Sequence, residues 1–281
     1  MKAIKITDIS QVENIRDRYF IRNCLTNNYL MLDEYENLIR EDRLYAICTQ
    51  QNSCFLVKKD KCFRVYYYIN DTAEQMLFDI FDDFVLEILY RGEKYYPVNE
   101  IKYWEYCGFS THLIRDQYET QYRDLRVESR ATRDIYIDFA TELEDALFAC
   151  ELFNSVFDPY SGDYISREQI CQLLDERKIL IAYKNNLHAG ALHFYSANNR
   201  VWLGHVAVLD KYRGQHLGDI LVDTYIKENM NNNKVRFSLW VQQQNQTAIN
   251  MYQKKGFRYV NKSTISMLKP VSYTHLTLPT I

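Results

Sequence analysis

Between Asp134 and Leu268 the spacing of apolar residues changes period in a fixed order, and that order leaves few folds open. Asp134–Ala140 (DIYIDFA) alternates and predicts a strand. Leu143, Ala146, Leu147, Cys150 and Phe153 recur at helical spacing over Glu142–Phe157, and Pro159 and Gly162 then break the pattern. Ser166 with Gln169 predicts a capping box that opens a second helix through Glu176. Ile179–Tyr183, Ala189–Tyr195 and Val201–Val208 read as strands, joined by tight turns at Asn185-Asn186 and Asn198-Asn199. A helix follows over Leu217–Glu228 and ends at Asn231–Asn233. Val235–Val241 is then a strand, Thr247–Lys255 a helix, and Phe257–Val260 with Ile265–Leu268 a closing hairpin. The order β-α-α-β-β-β-α-β-α-β-β predicts a mixed α/β sheet.

The first half repeats part of this order. Leu30, Leu38 and Ile39 fall in helical regions, and Cys54–Val57 and Phe63–Ile69 read as a hairpin. Thr72–Phe81 predicts a helix, Phe84–Tyr90 a strand and Val98–Tyr106 a helix. Ile101–Phe109 aligns with Asn250–Phe257 through a shared Gly-Phe ending, with Trp104 and Tyr252 each four residues before the glycine. A degenerate duplication is expected. The charge-dense stretch from Arg115 to Arg133, with Arg123, Arg126 and Arg130 among acids, reads as a solvated linker or exposed strand pair. It places a boundary near residue 130, giving domains 1–130 and 131–270. Val271–Ile281 (VSYTHLTLPTI) resembles a translated sequencing adapter and is set aside as a non-native tail.

A chain of 281 residues accommodates two domains, and 47% hydrophobic residues suffice for sizeable cores. A net charge of −3 gives no electrostatic reason to expect nucleic acid or an anionic membrane as partner. No apolar run approaches the ~18 residues of a membrane helix. The N-terminus MKAIKITDIS lacks a signal peptide's apolar core. Seven cysteines without a CxxC pair fit free thiols in a reducing cytoplasm, and no metal site is expected.

Two segments carry chemistry. In Val206-Ala207-Val208-Leu209-Asp210-Lys211-Tyr212-Arg213-Gly214-Gln215-His216-Leu217-Gly218-Asp219, a strand ends, a loop carries Arg and Gly, and a helix begins. Backbone N–H groups and the helix dipole then converge on one anion site. In Val241-x-x-x-Asn245-x-x-Ala248-x-x-x-Tyr252-x-x-x-Gly256-Phe257, Ala248, Tyr252 and Gly256 share one helix face. Asn245 can donate to and accept from an amide ligand. Each segment alone is also consistent with ordinary packing.

In this order and spacing the two segments resemble the GNAT superfamily of acetyl-CoA-dependent N-acyltransferases. The family's phosphate loop is Arg/Gln-x-x-Gly-x-Gly/Ala. Arg213 and Gly218 match it, while His216 replaces the middle glycine. The resemblance covers Asp134 to about Pro270 well and the first half only as a degenerate copy. Its Ile69-Asn70-Asp71-Thr72 join has no Arg or Gly, so that domain is expected to lack the cofactor loop. The resemblance implies a mixed, mostly antiparallel central sheet flanked by helices, in two tandem domains. It implies acetyl-CoA as co-substrate, held by Val206, Ala207, Val208, Arg213, Gly214, Gln215, His216, Leu217, Gly218, Asp219 and Asn245. A backbone N–H near Val206–Val208 would polarise the thioester carbonyl, and Tyr252 would protonate the leaving thiolate. The acceptor would be a small-molecule or peptide amine.

The strand Val201–His205 carries no acid to serve as base. His205 is the nearest titratable group, and by strict alternation it faces away from Trp202 and Gly204. Tyr160, Asp163 and Tyr164 are expected on the acceptor side. Two other functions stay open: a non-catalytic acyl-CoA-binding sensor, and a tandem-domain transferase that forms amides.

Overall fold

The computed structural model describes residues 3–78, 82–127, 134–160, 164–197, 199–230 and 235–271. The predicted turn residue Asn198, the helix stop Asn231–Asn233, Arg130, Arg133, Asp163 and all of the suspected tail beyond Val271 lie outside the described residues. By contact the chain forms two units. The first comprises residues 1–114 with 264–281, and the second residues 115–263. The single cut near 130 rests on sequence pattern; contact divides the chain at 114/115 and again at 263/264.

The first unit contains β1 (Ile4–Lys5), α1 (Ile9–Tyr19), β2 (Leu25–Thr26), α2 (Leu32–Arg40), β3 (Leu44–Cys48), β4 (Ser53–Lys58), β5 (Phe63–Ile69), β6 (Phe84–Tyr90) and α3 (Val98–Tyr106). β7 (Ser110–Gln121) begins there and continues into the second unit. The sheet runs β1-β3-β4-β5-β6, antiparallel except for β5 beside β6. α1 and α2 bury Val12, Ile15, Tyr19 and Tyr35 on one face, against Leu44, Phe55 and Val57. On the other face Trp104 of α3 packs with Tyr67, Phe84 and Phe109, and with Ile265 and Met267 from the far end of the chain.

The second unit contains β8 (Ile135–Phe139), α4 (Leu143–Val156), α5 (Arg167–Asp175), β9 (Ile179–Lys184), β10 (Leu187–Ala197), β11 (Arg200–Val208), α6 (Leu217–Asn229), β12 (Arg236–Gln242) and α7 (Gln246–Lys254). β13 (Arg258–Lys269) starts there and ends in the first unit. The sheet order is β8-β9-β10-β11-β12-β7, with β11 and β12 parallel and the other pairs antiparallel. Helices α4 and α5 cover one face through Ala146, Phe153 and Ile170. Helices α6 and α7 cover the other through Leu221, Tyr225, Ile249 and Tyr252. Ser166 and Gln169 form the predicted capping box of α5. Asn185 and Asn186 both take positive φ, as their turn requires.

Three expectations need correction. The predicted helix over Thr72–Phe81 does not form across 72–78. Asn52 holds this segment through the Asp71 and Glu74 carbonyls and the Asn70 and Asp71 N–H groups. The Glu74 carboxylate is seated on Thr49 and on the N–H groups of Gln50 and Gln51. Of the two readings of the stretch after Arg115, solvated linker or exposed strand pair, the chain is strand as far as Gln121, paired with β12 from Arg115↔Gln242 to Gln121↔Arg236, but it is not exposed throughout. Tyr118 enters the core there, and Gln117 and Thr120 are buried beside it although the stretch is rich in charge. The closing hairpin is one continuous strand, β13: Asn261 takes positive φ, yet the chain does not reverse.

The duplicated Gly-Phe ending is repeated bond for bond. Gly108 and Gly256 have φ of 88° and 96°, and the N–H groups of Phe109 and Phe257 donate to the carbonyls of Trp104 and Tyr252 at 2.9 and 3.0 Å. Both helices thus end in a left-handed glycine with a six-to-one bond. A Cβ on Gly256 would lie 2.1 Å from the Asp124 carbonyl oxygen. Gly256→Ala is therefore expected to lower stability by more than the ~1–2 kcal/mol of left-handed strain alone, which chemical denaturation would measure.

Candidate functional site

The parallel ladder between β11 and β12 is short, running only from Arg200↔Arg236 to Leu203↔Leu239. It stops at a bulge. His193 of β10 pairs with His205 while Phe194 pairs with Leu203, leaving Gly204 as the extra residue on β11. Glycine is needed there, since a Cβ would come within 2.0 Å of the His193 ring. Beyond the bulge β11 continues to Val208 and β12 to Gln242 with no ladder between them, so the sheet opens into a gap.

The gap presents backbone donors. Leu209 N–H donates to the Ala189 carbonyl on β10. By the two-residue period of the strand, Ala207 also points its backbone at β10, whereas Val206 and Val208 point theirs into the gap. The Ala207 side chain is buried against the α4–α5 face. Of the three expected strand residues, the geometry therefore offers the N–H groups of two.

At the mouth of the gap a 3-10 turn over Asp210–Tyr212 leads into Arg213, Gly214 (φ 76°) and His216 (φ 62°, ψ 12°) before α6 begins. His216 thus adopts the left-handed conformation that the glycine of the family pattern would supply. No side chain caps α6, and its first backbone bond runs from Ile220 N–H to the His216 carbonyl. The N–H groups of Leu217, Gly218 and Asp219 precede that bond and form the open positive end of the helix. A Cβ on Gly218 would meet only Val208 Cγ2, at 4.0 Å, so space alone does not demand glycine there.

The side chains of this loop engage one another. Arg213 pairs with Asp210 at 2.8 Å, and Lys184 of β9 donates to Gln215. His216 Nδ1 lies 3.3 Å from Asp219 Oδ2, and the buried Lys255 Nζ lies 3.8 Å from Asp219 Oδ1 and 2.6 Å from Asp223 Oδ1. The Asp219 carboxylate is thereby turned to His216 and Lys255, leaving its backbone N–H as what it offers an anion. Asn245 caps α7, its Oδ1 accepting from Ala248 N–H at 3.1 Å. Its side-chain oxygen is committed to the helix, and its amide N–H groups are what remain for a ligand. Tyr252 is buried in the same core as Leu239 and Val241 of β12, edge-on to Phe257. Burial pushes its phenol well above the ordinary range, which keeps it protonated.

On the α4 side of the gap, sequence alternation misplaced His205. Leu203 packs with the α6–α7 core, so Trp202 takes the opposite face, stacked on Tyr195. The extra residue at Gly204 reverses the phase, and His205 joins Trp202 on the α4 side against Phe153 and Phe157. No periodicity argument finds this, because only the bulge reveals it. Tyr160 and Tyr164 lie in the connection after α4, where Tyr160 N–H donates to the Asp158 carboxylate at 3.2 Å.

The first unit opens at the equivalent place and fills the opening itself. β5 and β6 pair only at Phe63↔Phe84 and Arg64↔Val85. Beyond them Asn27 donates to the Val65 and Glu87 carbonyls at 2.9 and 3.1 Å and accepts from Tyr67 N–H at 2.9 Å. β2 pairs with the rest of β5 through Leu25↔Ile69 and Thr26↔Tyr68. Trp104, fully buried and without a hydroxyl, stands where Tyr252 stands in the second unit. Nothing in the sequence pattern singled out Asn27.

Residues 140–257 match the acetyltransferase (GNAT) family model, so the second unit carries a GNAT-family domain. The fold of nearly the whole chain is shared with a tandem GNAT protein from the clavulanic acid biosynthesis pathway (10% identity, TM-score 0.59, covering 95% of this chain and 97% of that one). It is likewise similar to a GCN5-related N-acetyltransferase from Sphaerobacter thermophilus (11% identity, TM-score 0.57, covering 96% and 95%). A Drosophila structural-genomics protein matches at 15% identity and TM-score 0.56, covering 96% and 99%. No curated protein matches the chain. Among the described residues no helix is long and apolar enough to cross a membrane, and no cluster of His, Cys, Asp or Glu could hold a metal.

Proposed function

We propose that the second unit transfers an acetyl group from acetyl-CoA to a primary amine of a small molecule or peptide. The observation that carries this reading is the gap between β11 and β12, lined by the N–H groups of Val206 and Val208 and ending at the uncapped start of α6. The N–H groups of residues 214–219 would receive the diphosphate, with His216 and the paired Arg213 beside it. Val206 and Val208 would hold the acyl and pantetheine end, and the Asn245 amide would donate to the same arm. The co-substrate supplies an activated thioester. Tyr252, held protonated by burial, suits donation of a proton to the departing thiolate. The first unit would bind no acyl-CoA, since Asn27 and β2 occupy its opening and no helix forms across residues 72–78. Seven free cysteines favour a reducing compartment, the cytoplasm.

The test is release of coenzyme A thiol from acetyl-CoA over a panel of small amines and peptides. Turnover of at least one amine is expected. Binding of coenzyme A without turnover of any amine would favour the sensor reading, which draws on His216 in the loop and the absence of an acid on β11. At 100 times the dissociation constant, coenzyme A should stabilise the protein by ~2.7 kcal/mol.

A further inference from the structure

The second unit buries two imidazoles against each other. His193 Nε2 and His205 Nδ1 are 2.5 Å apart, and each ring is only 7% exposed. Phe153 and Phe157 enclose the pair: Phe157 meets His205 edge-on at 4.3 Å, and Phe153 touches both rings at 5.5 and 5.3 Å. Nδ1 of His193 is buried with no hydrogen-bond partner. Two coupled imidazoles in an apolar shell cost stability that alternating apolar residues would not, and the Gly204 bulge exists in the space the His193 ring requires. That bulge also ends the β11–β12 ladder and turns His205 to the α4 side, one residue before the backbone that lines the gap.

We infer that the His193–His205 pair is the proton acceptor for the incoming amine, with His205 taking the proton and His193 positioning it. This rests on the transferase reading above. The acceptor ammonium gives one proton to His205, and the freed nitrogen lone pair forms the C–N bond to the acyl carbon. The C–S bond breaks, the thiolate takes the Tyr252 proton, and the second proton lost by nitrogen restores Tyr252. The proton on the imidazole pair leaves to solvent. Burial, and then the neighbouring His205, hold His193 well below the usual histidine range, so that ring rests unprotonated at neutral pH. Packed about it are Ile179 from β9, Phe153 of α4 with Phe157 at its C-cap, and Cys150 in the same core, its thiol pushed up by burial. The connection after Phe157 adds Asp158, Tyr160 and Tyr164.

Two measurements on the full chain test this. In the first, kcat/KM is followed against pH for the unaltered protein, His205→Gln and His193→Gln. The unaltered protein should show an acidic limb displaced below the ordinary imidazole value of ~6.5, where the pair takes up a proton. His205→Gln should lose about 100-fold or more at neutral pH and recover as pH rises toward the amine's own pKa. His193→Gln should move the acidic limb while coenzyme A binding is retained. An unchanged profile in both variants, with coenzyme A still bound, overturns the proposal. In the second, NMR titration of the two imidazoles should show one proton shared by the pair on the acid side; no protonation of either ring between pH 4 and 8 overturns it. No turnover of any amine by the unaltered protein would defeat the transferase reading, and the titration would still decide whether the pair takes a proton.

Discussion

Replacing Tyr252 by Phe is expected to lower kcat for acyl transfer by about 100-fold or more while coenzyme A still binds. The substitution removes one oxygen and keeps the ring, so the edge-on contact with Phe257 and the packing in the α6–α7 core persist. What disappears is the proposed proton source for the thiolate. Coenzyme A thiol has an ordinary pKa near that of cysteine, about 8.5, whereas the Tyr252 phenol is raised from 10 by burial. A phenol held protonated in this way stays an acid at every pH at which the enzyme would work, so no alkaline loss of activity from Tyr252 is expected below pH ~10. A drop in coenzyme A affinity equal to the drop in kcat/KM, with kcat preserved, would place Tyr252 in binding and remove its role as acid. Steady-state kinetics with coenzyme A thermal shift separates these outcomes.

The strongly periodic parts of this chain were legible in its residues. Val98–Tyr106 folds as the helix its pattern predicts, and Ser166 with Gln169 caps α5 as their spacing requires. The Gly-Phe repeat was legible because a left-handed glycine after a helix is a local demand, met identically at Gly108 and Gly256. The misreadings have tertiary causes. Residues 72–78 have helical composition, but Asn52 of the β3–β4 turn binds the Glu74 carbonyl and the Glu74 carboxylate accepts from that turn's N–H groups, which no local pattern reports. His205 was assigned the wrong face because one inserted residue, Gly204, shifts the phase of a two-residue period. Asn27 went unseen because a single amide between two strand edges has no periodicity at all. At the candidate site, loop residues 213–218 announced themselves by composition, while the gap they serve is set by a ladder that ends after Leu203 and Leu239.

Cutting the chain where its composition changes is expected to ruin both halves. A fragment of residues 131–270 lacks Arg115–Gln121, which pair with β12 along its whole length, and lacks the buried Tyr118. β12 would then be held by only the parallel pairs from Arg200↔Arg236 to Leu203↔Leu239, and the gap that β12 borders would lose its second wall. Burying a large side chain is worth about 1.5–3 kcal/mol, and a seven-residue strand pairing adds to that, against a typical domain stability of 5–15 kcal/mol. The fragment 131–270 should therefore unfold or aggregate and gain no thermal stability from coenzyme A. Residues 115–263, which keep the β7 segment, should retain that response. The first unit depends on the other end of the chain in the same way. Ending the protein at Ser263 removes Ile265 and Met267, both fully buried in its core, together with the Ser266–Glu87 and Lys269–Cys107 bonds. Two such side chains lost, with the cavity they leave, exceed what a domain of this size can spare. Ending it at Val271 keeps all of these groups and the bond from its N–H to Asp83 at 2.8 Å. Truncation at 263 should abolish cooperative unfolding of the first unit, whereas truncation at 271 should leave the melting temperature unchanged. Equal stability of the two truncations would show that β13 beyond Ser263 contributes nothing, and would return the division to a single cut near residue 130.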